Sequence, residues 1–301
     1  MELVAHKITV PEGTKEIVLA PIGDIQWAGR KEHLAWNALQ EHIAEAMERK
    51  AWFIGLGDYV DFASPSNRQR LRAAALYDTA EQVIDDKARA LVDELYAELL
   101  APTRGRWLGL LEGHHWTHLL TGDTTDQYLC QKLQAPFLGT SAYVGLMFPT
   151  LNGTRSVTIW AHHGAGGGQK VHAPVLKLEN LATSWDADIM LVAHMTKRAT
   201  GVLQRCYPVW GGRTPTIRYR EMHLVGCGGW MKGYAEQSTQ GRTPRGGYVE
   251  QKMLTPVALG APFIRIRPRM RHPGNPLNSG RRGGQVSGRE HFWEPEIRVE
   301  T

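Results

Sequence analysis

The sequence contains few cysteines and no long apolar run. Its three cysteines, Cys130, Cys206 and Cys227, lie far apart and form no Cys-x-x-Cys pair. That spacing argues against a disulfide framework or a cysteine-based zinc site, and it suits a reducing compartment. No segment reaches the ~18 consecutive apolar residues that span a bilayer, and the N-terminus lacks the pattern of an export signal. We therefore expect a soluble, cytoplasmic protein that does not act at a membrane.

The sequence also lacks an excess of acidic residues. Its formal net charge is +5, and hydrophobic residues make up 42% of the chain, enough for a buried core. The basic excess is concentrated near the end, in Arg265, Arg267, Arg269, Arg271, Arg281, Arg282, Arg289 and Arg298. This concentration favours either a phosphate-bearing partner, such as nucleic acid, or a solvated basic tail.

Composition divides the chain into two parts. Residues 1–270 alternate apolar runs with helical patterns, and we predict one α/β domain there. From residue 271 onward Gly, Arg, Pro, Asn and Ser dominate. We therefore predict an Arg/Gly-rich and mostly irregular tail over residues 271–301.

Two apolar runs in the first part end in Gly-Asp. Residues 16–22 lead into Gly23-Asp24, and residues 51–56 lead into Gly57-Asp58, with a helical pattern over residues 31–50 between them. A strand, a helix and a second strand, with an acid at each strand end, are typical of a layered α/β domain. Ligands in such domains bind at the carboxyl ends of the strands.

Three later apolar runs end in histidine. A helical pattern over residues 68–100 precedes them. The runs lead into Gly113-His114-His115, into His162-His163-Gly164 and into His194. Aspartate oxygens and histidine nitrogens are ligands that suit zinc, manganese and iron. The sequence therefore predicts a metal site at the carboxyl ends of these strands.

In chain order, the five strand ends are Gly-Asp-x-Gln, Gly-Asp-x-x-Asp, Gly-His-His, His-His-Gly and Ala-His-x-Thr. This order resembles the calcineurin-like metallophosphoesterases, whose pattern is Asp-x-His, Gly-Asp-x-x-Asp/Asn, Gly-Asn-His-Asp/Glu, a His before Gly, and Gly-His-x-His. The stretch over residues 162–168, with residues 176–179 and 187–189, is similar to phage-type members. The resemblance covers residues 17–266 and implies a layered β-sandwich flanked by helices, with the metal site at the strand carboxyl ends.

The resemblance implies a role for each matching position. Asp58 corresponds to the carboxylate that bridges two metal ions, and Asp24 to a ligand of the first ion. His163 and His194 correspond to ligands of the second ion, with His114 at the position where the family has Asn. The resemblance thus implies five metal ligands from five strand ends.

Other matching positions carry the expected chemistry or depart from the family. His115 corresponds to the histidine that contacts the phosphate and protonates the leaving oxygen, and Asp61 to a group that orients its neighbours. Gln26 and Thr196 replace the first and last histidines of the pattern, so this metal position keeps only Asp24, the bridging Asp58 and neutral oxygens. Both replacements weaken the same metal position.

The resemblance implies a hydrolase that cleaves a phosphodiester, in a nucleotide or nucleic acid, by attack of metal-bound hydroxide. We expect one or two divalent ions per chain, Mn²⁺ first, with Mg²⁺, Zn²⁺ or Fe as alternatives. The replacements at Gln26 and Thr196 motivate a second hypothesis, in which the chain keeps the fold and a metal but serves as a binding or assembly module.

Two other features each allow two interpretations. The glycine-rich residues 164–168 either offer backbone amides to phosphate or form a flexible connection. The tryptophans Trp27, Trp116 and Trp230 either stack on bases near the site or pack in the core. His162 has no expected metal role, because the family places its ligand directly before Gly.

Overall fold

Two mixed β-sheets form the centre of the protein. The computed structural model describes residues 1–11, 14–74, 76–150, 153–168, 170–210, 215–234, 248–268, 270–271, 292–293 and 295–301. The first sheet has the strand order β1 (Glu2–Lys7), β5 (Ser141–Thr150), β6 (Gly153–His162), β7 (Ile189–Val192), β9 (Thr216–Gly226) and β8 (Ala199–Val209). The second has the order β13 (Glu296–Glu300), β10 (Phe263–Arg267), β2 (Ile17–Ile22), β3 (Trp52–Gly55) and β4 (Trp107–Leu110). A short pair, β11 (Met270–Arg271) and β12 (Phe292–Trp293), lies outside both.

Helices connect these strands. They are α1 (Trp36–Glu48), α2 (Pro65–Ala73), α3 (Asp78–Leu95), α4 (Thr125–Leu133), α5 (Ala173–Leu181) and α6 (Tyr248–Gln251), with a π-helical turn at Tyr96–Leu100 and 3₁₀ turns at Lys31–His33 and Ala101–Thr103. In the described part of the chain, no helix combines the length and apolar character that a membrane crossing requires.

The helix predicted over residues 68–100 is divided. Tyr77 has an extended backbone, with φ −69° and ψ 150°, so α3 starts afresh after it. Ser64 begins α2 because its side chain accepts the Asn67 amide proton at 3.3 Å, and Pro65 follows at the first helical position. The predicted helical pattern is therefore confirmed over most of residues 68–100, with a break between α2 and α3.

Parallel pairing places the predicted strand ends at matching edges. In the second sheet β2 pairs in parallel with β3, and β3 pairs in parallel with β4. In the first sheet β6 pairs in parallel with β7. The strands β2, β3, β4 and β7 are almost entirely buried, as expected for parallel strands that are covered on both faces.

One hydrophobic core joins the two sheets, and a second cluster packs α5 against the first sheet. The core that joins the sheets contains Leu19 and Phe53 of the second sheet together with Val144, Ile159 and Leu191 of the first, all fully buried. The protein is therefore a layered α/β structure with two packed sheets, as the sequence predicts.

The last strand lies within the predicted tail. β13 pairs antiparallel with β10, and Arg265 in β10 donates to Glu16 at 2.8 Å and to Glu300 at 3.0 Å. The expectation of irregular chain is corrected for Glu296–Glu300, because those residues complete the edge of the sheet. Residues 272–291 of the predicted tail lie outside the described residues.

Candidate metal centre

Four side chains converge at the end of the parallel strands. Asp58 follows β3, His114 follows β4, His163 follows β6 and His194 follows β7. One possible ligand atom from each lies within 4.8 Å of the other three. Because β3 and β4 belong to one sheet and β6 and β7 to the other, both sheets contribute to the cluster.

Asp58 is buried, with 2% of its surface exposed. Its Oδ1 atom accepts the amide proton of His114 and, at 3.0 Å, that of His115. Its Oδ2 atom has no hydrogen-bond partner and lies 3.3 Å from Nε2 of His163. One oxygen is thus fixed by the backbone, and the other is available to a ligand.

His163 is held in one orientation by the backbone. Its Nδ1 atom lies 2.6 Å from the carbonyl oxygen of Leu56, and since a carbonyl only accepts, Nδ1 carries the proton. Its Nε2 atom is buried and has no hydrogen-bond partner. A backbone carbonyl that fixes one ring nitrogen and leaves the other free is the usual support of a metal-binding histidine.

The remaining two histidines face each other. The Nδ1 atoms of His114 and His194 lie 3.2 Å apart, and the rings are nearly perpendicular, at 88°. Burial, followed by the charge of His163, lowers the pKa of both imidazoles, that of His194 to about 4. Both rings are therefore neutral at pH 7 and can offer a lone pair to a cation.

Asp58 and His163 shift each other's titration in opposite directions. Burial alone raises the pKa of Asp58, but the close contact with His163 and its charge outweigh that effect and hold the pKa below its usual range. Burial alone lowers the pKa of His163, but the close contact with Asp58 and its charge raise it to about 9. Without a metal, the pair is therefore a buried carboxylate and imidazolium.

Asp24 supports the cluster from beside it. Its Oδ2 atom accepts the amide proton of His194 at 2.8 Å, and its buried Oδ1 atom has no partner. Burial, and the neighbouring charge of Asp58, raise the pKa of Asp24 to about 7. Asp24 is not one of the four residues whose ligand atoms lie within 4.8 Å of one another.

Gln26 and Thr196 lie next to Asp24 and differ from it in chemistry. The backbone amide of Gln26 donates to the backbone carbonyl of Asp58 at 2.9 Å. A Cβ atom added to Gly229 would lie 3.0 Å from Cβ of Asp24 and 3.1 Å from Cγ2 of Thr196, so those two side chains flank the same glycine. Of these three side chains, only Asp24 offers a charged oxygen, the partnerless Oδ1, to a cation.

Five predicted site residues share an uncommon backbone conformation. The φ angles are positive at Asp24 (51°), Gln26 (53°), Asp58 (56°), His194 (65°) and Thr196 (52°). Asp and His tolerate this left-handed region, whereas for β-branched Thr it is an outlier. Such strain persists where the surrounding structure enforces it, and it clusters at functional sites.

A histidine and an aspartate form a pair beside the cluster. Nδ1 of His115 lies 2.7 Å from Oδ1 of Asp61. This hydrogen bond is the largest cause that raises the pKa of His115, against the effect of burial. The ring thus keeps its second proton to higher pH than an isolated histidine.

Two residues that sequence reasoning missed hold the loop after β4. Buried Asp126 accepts the Gly113 amide at 3.0 Å, and burial raises its pKa to about 7. The Arg68 guanidinium donates to the carbonyls of Ala63, His114 and Trp116. A capping box at the start of α4 is visible in the sequence, but it does not indicate which loop that helix end contacts.

Of the three tryptophans near the predicted strand ends, two pack in the core. Trp27 and Trp230 are buried, which confirms the core interpretation for them. The Arg68 guanidinium lies over the Trp116 ring, 4.0 Å from its centroid. His162 accepts the Gly164 amide proton through Nδ1 at 2.7 Å and does not join the cluster.

No protein-family model matches the chain, and no curated protein is similar to it in sequence. What the fold and the geometry define is a layered α/β protein with a candidate site for one metal ion. The candidate ligands are one carboxylate oxygen and three imidazole nitrogens.

Proposed function

We propose that the protein is a metal-dependent phosphoesterase that hydrolyses a phosphodiester. The observation that carries this proposal is the pair of buried, partnerless atoms Asp58 Oδ2 and His163 Nε2, 3.3 Å apart beside two neutral imidazoles. Without a metal these two atoms have only each other, as carboxylate and imidazolium, and a cation bound between them would take the place of the His163 proton. The ordered motifs that resemble calcineurin-like metallophosphoesterases support the same function.

The ligand set limits the choice of ion. One carboxylate and three imidazoles suit Mn²⁺, Zn²⁺ or Fe²⁺, whereas Mg²⁺ prefers oxygen ligands and several waters. Of the first three, Mn²⁺ is the ion that the resemblance favours. The neighbouring position offers only Asp24 Oδ1 with Gln26 and Thr196, so we propose one tightly bound ion per chain.

The residues around the ion divide the chemistry between them. A divalent cation supplies Lewis acidity, which polarises a phosphoryl oxygen and lowers the pKa of attacking water. Asp61 accepts the Nδ1 proton of His115, which leaves the Nε2 proton of the imidazolium for the leaving oxygen. General acids of this kind contribute ~10²–10⁴-fold to the rate.

Hydrolysis of bis(p-nitrophenyl) phosphate by the purified protein with Mn²⁺ tests the proposal. We expect turnover that falls by at least about 100-fold in Asp58→Asn and in His115→Asn. The exposed residue His33 provides a matched control, since His33→Gln leaves the four ligands in place. The proposal fails if Mn²⁺, Zn²⁺, Fe²⁺ and Co²⁺ all give no activity, or if Asp58→Asn retains the wild-type rate.

The non-enzymatic alternative has its own supporting observation. Gln26 and Thr196 occupy backbone positions with φ of 53° and 52°, in the same strained region as Asp24, yet they offer no charged or nitrogen ligand. A chain with that weakness could keep one ion as a structural element of a binding or assembly module. Metal analysis that finds one ion per chain, together with no hydrolysis of any phosphate ester, would favour this alternative.

A further inference from the structure

A loop of four glycines and one alanine follows the candidate ligand His163. We call residues 164–168 the glycine loop. A Cβ atom added to Gly164 would lie 2.8 Å from the carbonyl oxygen of Ala193 and 3.1 Å from Cβ of His194. The loop therefore begins in direct contact with the segment that carries the fourth ligand of the metal centre.

The backbone of the loop is open on its outer side. Residues 165–167 are exposed, and a Cβ atom added to Gly167 would meet no atom within 4 Å. The amides of these three residues donate to no partner among the described residues. Because there are no large side chains at these positions, a ligand can approach the amides closely.

Two lysines from different elements hold the loop. Lys177, on α5, donates to the carbonyl of Ala165, and Lys197, directly after Thr196, donates to the carbonyl of Gly168. Only 8% of the Lys197 surface is exposed. The stem of Lys197 is therefore packed against its neighbours, and its ammonium group is directed at the loop.

No acid neutralises these two lysines in the described part of the chain. Neither ammonium group forms an ion pair there. Residues 162–178 contain no aspartate or glutamate at all. Each ammonium group has three protons to donate and uses one on the loop, so two positive charges with unused donors lie beside the open amides.

We propose that the glycine loop, Lys177 and Lys197 bind a second phosphate group of the substrate, adjacent to the phosphodiester that is cleaved. Open amides and unpaired ammonium groups together suit a phosphate oxyanion. This inference rests on the proposed function, and it narrows the substrate class to nucleotide chains with more than one phosphate. It also assigns a role to the loop in place of a flexible connection.

A pair of dinucleotides isolates this second phosphate. TpT contains only the internal diester, and pTpTp adds a phosphate at each end. We expect kcat/KM for cleavage of the internal diester to be at least about tenfold higher for pTpTp. This preference should fall severalfold in Lys177→Gln and in Lys197→Met, and it should survive in Lys177→Arg, which keeps the charge.

Charge removal elsewhere provides the control. Lys87 is exposed on α3 and belongs to neither the glycine loop nor the metal centre, so Lys87→Gln should keep the full preference. The salt dependence gives a second measurement, because each lost contact with a single strand lowers the slope of log affinity against log salt by about 0.7. Melting temperatures of all variants show whether a lysine change has unfolded the loop or the domain.

Three outcomes would overturn the proposal: equal kcat/KM for both dinucleotides in the wild type, a preference that both charge-removing variants retain, or an equal loss for both dinucleotides in those variants. The last result would mean that the lysines only hold the loop in place. If the wild type cleaves neither dinucleotide, fluorescence anisotropy with labelled pTpTp and TpT decides the subsite, while hydrolysis of bis(p-nitrophenyl) phosphate decides the proposed function separately. Tighter binding of pTpTp that Lys177→Gln abolishes would support the subsite, and equal binding would refute it.

Discussion

Nε2 of His163 lies 3.3 Å from Oδ2 of Asp58, and neither atom has a hydrogen-bond partner. In the metal-free protein these atoms face each other as imidazolium and carboxylate, because Asp58 raises the pKa of His163 to about 9 against the effect of burial. A cation that binds Nε2 must displace the proton it carries. Metal and proton therefore compete for one atom.

This competition makes metal affinity depend on pH. We expect the affinity for Mn²⁺ to rise about tenfold per pH unit between about 6.5 and 9, because binding releases one proton from His163. Isothermal titration calorimetry at several pH values, in buffers of different ionisation enthalpy, measures both the affinity and the number of protons. The control variant His33→Gln, which changes an exposed residue, should show the same pH dependence. An affinity that does not change with pH would contradict the prediction.

The same pair should make the stability of the metal-free protein fall at alkaline pH. The folded-state pKa of His163, about 9, lies above its ordinary value of 6.5. Its stabilising contribution is therefore complete below pH 6.5 and is lost as the pH rises through 9, on the order of 3 kcal/mol. Ionisation of Asp24, whose pKa burial raises from 3.8 to about 7, acts in the same direction but at lower pH, between about 4 and 7.

Urea unfolding in EDTA at pH 6 and pH 9 measures this loss. For the wild type, the urea midpoint should be lower at pH 9 than at pH 6. This decrease should be much smaller in His163→Gln. Mn²⁺ should restore the midpoint at pH 9, because the cation then replaces the lost proton. An equal midpoint at both pH values in EDTA would show that the pair does not titrate as described.

For metal affinity, we expect Asp24 to be more important as a hydrogen-bond acceptor than as a negative charge. Asp24→Asn keeps an oxygen for the amide proton of His194, whereas Asp24→Ala leaves that amide without an acceptor and costs about 1–3 kcal/mol. We expect the alanine variant to lose ~10–100-fold in metal affinity, because His194 is no longer positioned, and the asparagine variant to lose less. Equal losses in both variants would mean instead that Asp24 binds the ion directly.

The proposed weakness of the second metal position, beside Asp24, can be tested by placing histidines at residues 26 and 196. Gln26→His with Thr196→His adds two imidazoles beside Asp24, at backbone φ angles that histidine tolerates better than threonine does. We expect the double variant to bind two metal equivalents per chain, against one in the wild type, by elemental analysis after gel filtration. Gln26→Asn with Thr196→Ser is the matched control and should still bind one.

Much of the candidate site could be predicted from the sequence. A buried parallel strand is a short apolar run, and the polar residue after it marks its carboxyl end. The strand ends therefore indicate Asp58, His194 and the pairs His114-His115 and His162-His163, and the family resemblance selects His114 and His163 from those pairs. The last strand could also have been predicted, because Glu296–Glu300 alternates polar and apolar residues. Its neighbourhood in a Gly- and Arg-rich segment obscured that pattern.

Other parts of the site depend on contacts between distant segments. The Leu56 carbonyl that fixes His163 and the Asp126 carboxylate that holds Gly113 come from different strands and helices. Arg68 meets the His114 loop from α2, 46 residues earlier in the chain. No local pattern encodes such pairs, because they arise only when the sheets and helices have packed.

The left-handed backbone at Asp24, Asp58 and Thr196 limits which substitutions selection can favour at these positions. Glycine adopts that conformation without steric strain, so glycine at these positions would relax the folded backbone. The chain instead carries side chains there, and it gives up some stability for the groups they provide. Selection for heat resistance and selection for activity should therefore pull these positions in opposite directions.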